Sequence, residues 1–295
     1  MLSLHTNAAA LSSQNSVGNT QRALTTSLTR LGTGYRVNSA MDDAAGLQIA
    51  VRLQAQTQGM AVAQKNTQNG ISMMQTAEGA FDELSNVLLR MKDLATEAFT
   101  ASSTADDKAA LQAEFDALGQ ELGNIMKSTA FGGQTLFSAD GTAVPTAAAG
   151  IFGTAGGITF QIGASANETM TVDTETSLGD VVASLGAVST NYAATAPGTE
   201  LTAGTNAVIT SINDALTDVG TLRAQLGAAS NRLDHVYNNL GNMMANTTAS
   251  RGRIMDVDYA SETSNSTAQQ LLLQAGTSAL KQSSSLSQLV ISLMQ

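Results

Sequence analysis

The chain has no cysteine and no tryptophan, and its 295 residues include only two prolines, four tyrosines and seven phenylalanines. Without cysteine, disulfides and thiol chemistry are excluded, although the compartment is not thereby identified; the composition is compatible with life outside a cell. So few aromatics exclude an ordinary core of large side chains. Charged residues are also scarce, at 13% of the chain, with 14 Lys and Arg against 24 Asp and Glu for a formal net charge of -10. No basic cluster appears, which argues against nucleic acid and against an anionic membrane surface as partners. No apolar run reaches the length of a membrane-spanning helix. The opening MLSLHTNAAALSSQNS lacks the basic region and unbroken apolar run of a secretory signal. The chain is therefore expected to be cytoplasmic, or exported by a dedicated route that leaves its N-terminus intact.

What fills the gap is Ala, Ser, Thr, Gln, Asn and Gly, residues whose helices approach closely but bury little area each. Both prolines, Pro145 and Pro197, lie in the middle, so residues 1–144 and 198–295 are free to form long helices. Residues 131–203 are rich in Gly and Thr. Within them Ile158, Phe160 and Ile162 alternate with Thr159 and Gln161, the period-two pattern of a strand and hairpin. In the flanks, Met74, Ala77, Phe81, Leu84, Leu88, Met91, Ala95 and Ala98 follow a three-four spacing. So do Ile209, Ile212, Leu216, Val219, Arg223, Leu226, Ser230, Leu233, Tyr237, Leu240 and Met244. Sustained over several heptads, this predicts helix-to-helix seams. A further helix is predicted from Asp106 to Lys127, capped by Thr104 or Asp106. The expected fold is mainly α: an elongated coiled-coil helical bundle from both chain ends, with a small β-containing central insert.

The two ends are the least usual part. Residues 1–21 contain no Asp, Glu, Lys or Arg, and residues 263–295 contain only Lys281. An apolar stripe runs through Val17, Leu24, Leu28 and Leu31, and another through Ala268, Leu272, Ala275, Ala279, Gln282, Leu286, Leu289 and Leu293. Their backs are Ser, Thr, Gln and Asn. Helices of this kind either pack only on each other or are covered by further copies of the chain. Two thin helices bury only part of one face in each other, and each exposed Leu forgoes about 1.5–3 kcal/mol, which favours further copies.

The stretch RLGTGYRVNSAMDDAAGLQIA, Arg30 to Ala50, interrupts this helical pattern. Gly32 and Gly34 have Val37 where a dinucleotide fingerprint needs its third glycine, no strand precedes them, and there is no phosphate-loop lysine. Asp42 and Asp43 are consecutive, so on a helix they diverge by about 100 degrees and do not chelate one ion. They read better as solvated or cap-like carboxylates, and helix capping is the better role for Asp258 or Ser261 in DVDYASE, where Asp256, Asp258 and Glu262 lack the length and glycine of a calcium loop. His5 and His235 stand alone. No catalytic residue, cofactor or metal site is expected, and Arg30 to Ala50 reads as a joint. In it Gly32 and Gly34 end a helix, Asn38-Ser39 makes a turn, and Ala44-Ala45-Gly46 allows close approach to another backbone.

Three stretches resemble bacterial flagellin: RLGTGYRVNSAMDDAAGLQIA, NTQNGISMMQTAEGAFDELSNVLLRMKDLATEAF and SRGRIMDVDYASETSNSTAQQLLLQAGTSAL. The likeness covers roughly residues 1–140 and 205–295, in the family's order. The opening MLSLHTN is most similar to lateral-type members. The resemblance implies a subunit that self-polymerises into the flagellar filament for swimming or swarming. Residues 1–45 would hold the first half of an inner tube and its spoke, 46–135 and 204–252 an outer helical bundle, 136–203 a hairpin and reduced outer region, and 253–295 the second half of the tube. It implies Val17, Leu24, Leu28, Leu31, Leu272, Leu286, Leu289 and Leu293 as tube contacts, and Arg30, Gly32, Gly34, Asn38, Asp42, Asp43 and Gly46 as the spoke. It further implies type III export to the cell exterior without a cleaved signal peptide, a chaperone on the C-terminal segment, and filament cap and hook-filament junction proteins as neighbours. Arg90, Leu94 and Glu114 fall where the family has either a Toll-like receptor five surface or inter-subunit contacts. The alternatives are a hook-filament junction protein and a secreted enzyme carried on such a scaffold; the insert, with no His and few carboxylates, argues against the second.

Overall fold

The computed structural model describes residues 7–139, 141, 143–193, 197–203 and 205–293, with side chains to residue 285 in the last helix. Among these residues are six α-helices: α1 (Ala8–Thr33), α2 (Ala44–Ala98), α3 (Ala105–Ser128), α4 (Glu175–Val188), α5 (Ala207–Met255) and α6 (Tyr259–Leu293). The described residues also form a single 3-10 turn, Thr190–Tyr192, and two short antiparallel hairpins, β1 (Ala130–Phe131) with β2 (Gln134–Thr135), and β3 (Ile158–Gln161) with β4 (Thr169–Val172). The chain divides into two compact units, residues 58–244 and residues 1–57 with 245–295; the divisions fall inside α2 and α5. No described helix is long and apolar enough to cross a membrane.

The unit of residues 58–244 has a continuous apolar core. Every seam residue expected on α2, from Met74 and Ala77 through Phe81, Leu84, Leu88, Met91 and Ala95 to Ala98, is buried. On α5 the expected seam is half observed. Ile212, Val219, Leu226, Leu233 and Leu240 are buried, whereas Ile209, Leu216, Arg223, Ser230, Tyr237 and Met244 lie at its flank. The positions between the buried ones are taken instead by Val208, Ala215, Leu222 and Ala229. The seam thus contains alanines that allow close packing, while Arg223 at its edge reaches Asp82 of α2 at 2.9 Å.

Helix α3 starts one residue before the expected Asp106, and its cap is the predicted Thr104. The Thr104 hydroxyl accepts from the Asp107 amide, and the Asp107 carboxylate accepts from the Thr104 amide at 3.0 Å, a reciprocal capping box. These bonds hold the Asp107 carboxyl below its ordinary pKa. The cap therefore contributes at neutral pH and is lost as pH falls through that depressed value.

The insert carries more helix than its composition implied. Helix α4 was not expected; it buries Leu178, Val181, Val182, Leu185 and Val188 in the same core. Both hairpins are antiparallel. The β1–β2 turn places Gly132 and Gly133 at φ 59 and 84, the left-handed pair that a two-residue hairpin loop requires. In β3–β4, Phe160 pairs with Met170 and Ile158 with Val172, so the alternation read from the sequence turns one face of the hairpin to the core. The scarce aromatics are concentrated here: the rings of Phe81 and Phe137 lie 4.7 Å apart, and those of Phe137 and Phe152 5.8 Å apart.

With so few large side chains, each ring supports many smaller neighbours. Phe137→Ala is expected to destabilise this unit by about 3–5 kcal/mol, whereas Leu89→Ala, at a half-exposed position on α2, should change stability by no more than about 0.5 kcal/mol. Urea unfolding followed by circular dichroism measures both.

Candidate assembly surface and its joint

Arg30 to Ala50 is a joint of defined geometry. Helix α1 runs through Gly32, which is an interior position, and stops at Gly34, whose left-handed φ of 77 lets its amide close back on the Arg30 carbonyl at 2.9 Å. The chain then pairs with the junction between α5 and α6. The Arg36 amide donates to the Met255 carbonyl at 2.6 Å, the Val257 amide to the Gly34 carbonyl at 3.0 Å, and the Arg36 guanidinium to the Ile254 carbonyl at 2.7 Å. Beneath this bridge, Val37, Ala50 and Met255 form a small buried cluster with Leu47 and Ile254.

Asp42 closes a turn and Asp43 caps a helix. One Asp42 carboxylate oxygen accepts from the Asn38 amide at 3.1 Å and the Ser39 amide at 2.9 Å, closing the turn expected at Asn38-Ser39. Backbone bonds from Ser39 and Asn38 hold the Asp42 carboxyl below its ordinary pKa, so the turn is secured at neutral pH and loosens in acid. Asp43 accepts from the Gly46 amide at 2.8 Å and starts α2. A side chain at Gly46 would strike the Asp43 carboxylate. Gly46 therefore serves the cap and does not permit the backbone crossing expected of it. At the other junction Asp258 caps α6 through the Ala260 amide at 3.1 Å, as expected.

Beyond the joint, α1 and α6 pack antiparallel on each other. The Asn7 side chain caps α1 and also donates to the Ser283 carbonyl at 3.1 Å; Val17 lies against Gly276; Arg30 meets Glu262 at 3.8 Å. The seam uses Leu24, Ser27, Glu262 and Ser266, which are buried, with Val17, Leu31, Leu273, Gly276 and Leu280 partly buried. The stripe of α6 read from the sequence faces elsewhere: Ala268, Leu272, Ala275, Ala279 and Gln282 are all exposed. Leu11, Leu28, Leu271 and Leu272 are 51–61% exposed. The side chains of Leu286, Leu289 and Leu293 lie outside those described.

The polar back of α1 is closed on itself. The hydroxyls of Thr20, Thr25, Thr26, Thr29 and Thr33 each donate to the carbonyl four residues earlier, at 2.9–3.1 Å. A face whose hydroxyl donors are already bonded within its helix can be covered without stranding them.

Arg90 and Glu114 do form a surface pair, the Arg90 guanidinium donating twice to one Glu114 oxygen at 2.9 and 2.6 Å. Leu94, grouped with them on the expected receptor or inter-subunit surface, is 1% exposed. Its side chain belongs to the core, because α2 is buried on more than one side there. Among the described residues no three His, Cys, Asp or Glu side chains are grouped to hold a metal ion; His5 lies outside them. The partners of the joint that sequence reasoning missed, Arg36, Val37, Met255 and Val257, carry no motif of their own, since main-chain pairing leaves little trace in residue type.

The two glycines of the joint should respond oppositely. Gly34→Ala forces a side chain into the left-handed region and to 3.0 Å from the Tyr259 hydroxyl, a loss of about 1–2 kcal/mol. Gly32→Ala, with open space around it inside α1, is expected to gain about 0.5–1 kcal/mol. Thermal melts of the two variants check the contrast.

Comparison with known proteins matches these same helices. The family model described as the bacterial flagellin N-terminal helical region matches residues 4–142, and that described as the bacterial flagellin C-terminal helical region matches residues 209–294. The B-type flagellin of Pseudomonas aeruginosa is 43% identical over 176 residues, which are 60% of this chain and 33% of that protein. Polar flagellin F of Vibrio parahaemolyticus is 41% identical over 175 residues, 59% of this chain and 43% of that protein. The chain thus spans less than half the length of these relatives. The crystal structure of Bacillus cereus flagellin matches with a TM-score of 0.46 at 30% identity, over 60% of this chain and 88% of that one. With the two family models covering most of its length, one on each side of the insert and together including the joint and both terminal helices, the chain belongs to the bacterial flagellin family.

Proposed function

We propose that this protein is a structural subunit, without enzymatic activity, that polymerises with itself into the extracellular flagellar filament used for swimming or swarming. The observation that carries this reading is the pair α1 and α6: charge-poor helices that cover only one face of each other and leave Leu11, Leu28, Leu271 and Leu272 in solvent. Covering the exposed half of each of these leucines is worth roughly 1 kcal/mol. Copies carrying a net charge of -10 repel one another, and residues 1–21 and 263–295 are where they can meet without opposing like charges. Contacts of one surface patch with a different patch on the next copy then propagate into a helix.

On this reading residues 1–45 and 253–295 form the inner tube with its spoke, 46–135 and 204–252 the bundle, and 136–203 the outer region. Leu28 and Leu272 are its most accessible tube contacts, joined by Leu286, Leu289 and Leu293, while Val17, Leu24 and Leu31 support α1 against α6. The accompanying partners are an export chaperone on the C-terminal segment, type III export without a cleaved signal, and cap and hook-filament junction proteins. Any Toll-like receptor five contact involves Arg90 and Glu114 without the buried Leu94.

Seeded polymerisation, read by sedimentation and negative-stain electron microscopy, tests the assignment. The full chain is expected to extend seeds into long filaments, and a chain lacking residues 1–40 and 263–295 to remain unassembled. Leu28→Lys and Leu272→Lys should each raise the critical concentration about tenfold or more, equivalent to about 1.4 kcal/mol per tenfold. Equal polymerisation by the truncated chain would refute the tube, and short capped assemblies from the full chain would favour a junction protein.

A further inference from the structure

Charge is divided unequally between the two compact units. Residues 1–57 with 245–295 hold seven of the 14 Lys and Arg but only five of the 24 Asp and Glu, a surplus of two positive charges. Residues 58–244 hold the other seven cations and 19 carboxylates, a net charge of -12. Most carboxylates of the first unit are committed within the chain: Asp42, Asp43 and Asp258 accept main-chain amides, and Glu262 faces Arg30. Its cations remain available. Arg36, Arg52 and Arg253 are exposed, and among the described residues none of them is ion-paired. They come from three separate stretches, so no basic run marks them in the sequence, yet the joint draws those stretches together. Each lies within two residues of Val37, Ala50 or Met255, the members of one buried cluster. The Arg36 guanidinium donates to the Ile254 carbonyl, and that of Arg253 to the Ser250 hydroxyl at 2.9 Å, neutral acceptors that leave both charges uncompensated.

We propose that these joint arginines dock on the acidic surface of residues 58–244 of a neighbouring copy, an arrangement that rests on the chain's polymerising with itself. Contact between two acidic units opposes like charges, and contact between two joints opposes arginines; joint against acidic unit pairs opposite ones. The two patches differ, which is the geometry that propagates instead of closing. At physiological ionic strength exposed charges are screened beyond about 8 Å, so the attraction acts where the surfaces meet and depends on which residues carry it. Arginine suits this role. Its planar fork holds a carboxylate through two parallel bonds, so acidic side chains are gripped without a deep pocket. A free polyanion would meet the same arginines but would be repelled by the rest of the chain, whereas a second copy brings its own surplus of carboxylates.

Seeded polymerisation of full-length charge variants tests the docking. Arg52→Gln with Arg253→Gln removes two joint charges and spares Arg36, whose guanidinium also supports the joint. Lys65→Gln with Arg232→Gln, at exposed helical positions of the acidic unit, gives the same net charge. The joint variant should raise the critical concentration about tenfold, and the control should change it by less than about twofold. Equal increases in the two would overturn the proposal, because general repulsion would then account for both. The contact itself is read with Arg52→Lys and Arg253→Lys, which keep the charge and supply amines that a carbodiimide joins to touching carboxylates. In a mixture of isotope-labelled and unlabelled copies, mass spectrometry should find links between copies from positions 52 and 253 to carboxylates of residues 58–244. Links confined to carboxylates of residues 1–57 and 245–295 would overturn it. A wild-type chain that extends no seeds refutes the filament by itself. The same cross-linking in concentrated solution then decides the docking, upheld by links between copies to residues 58–244 and overturned by their absence.

Discussion

Two main-chain hydrogen bonds, Arg36 to Met255 and Val257 to Gly34, fix where α1 and α6 leave the joint. A terminal helix pair with a thin seam depends on this, because short side chains grip weakly and the helices must set out side by side. The Arg36 guanidinium on the Ile254 carbonyl and the buried Val37–Met255 contact reinforce the same point. Gly34 is what makes the bridge geometrically available. It ends α1 in the left-handed conformation and turns its own carbonyl toward Val257. A residue chosen for backbone freedom thus positions contacts more than two hundred residues away in sequence.

The two compact units obtain their cohesion differently. In residues 58–244, Phe81, Phe137 and Phe152 cluster among fully buried Leu, Val and Met, so the core is closed within the chain. In the unit of residues 1–57 with 245–295, the buried positions of the α1–α6 seam are Leu24 with Ser27, Glu262 and Ser266, and several of the largest apolar side chains face solvent. The first satisfies its apolar residues by itself. The second leaves part of that burial to be completed by something else, which for a charge-poor surface with internally bonded hydroxyls is most readily another copy.

How far the sequence could be read follows from where each element gets its information. Thr104 was legible because a capping box is local chemistry, and the α2 seam because its spacing is regular and its side chains large. The α5 seam was legible only at alternate positions. Of the four buried positions not read, Val208, Ala215, Leu222 and Ala229, two are alanines, and an alanine buried for closeness looks like one tolerated on a surface. Helix α4 was hidden by the Gly and Thr around it. Leu94 misled because it was grouped with the surface pair Arg90 and Glu114, although it lies beside buried Met91, Ala95 and Ala98 on a helix buried on more than one side. In α6 the stripe through Leu272 faces solvent, and the actual seam with α1 runs through Leu273 and Leu280 together with Glu262, Ser266 and Gly276, which hydropathy would place outside.

That last reversal has a physical rationale. Were the Leu272 stripe of α6 turned toward α1 as well, the pair would be more stable alone and would have less apolar surface left to offer. Pairing instead through Leu24, Leu273 and Leu280 among serine, glycine and one ion pair keeps the intramolecular seam thin and leaves Leu28 and Leu272 in solvent. Such a seam needs specificity more than strength, since thin helices with repetitive faces have many nearly equivalent alignments. The joint supplies it: the Gly34–Val257 and Arg36–Met255 main-chain bonds lie within four residues of the facing ends of both helices, and a slip of one heptad would break them. A thin seam, exposed leucines and a single alignment are then consequences of one arrangement, in which the joint sets both the direction and the stagger of the two helices.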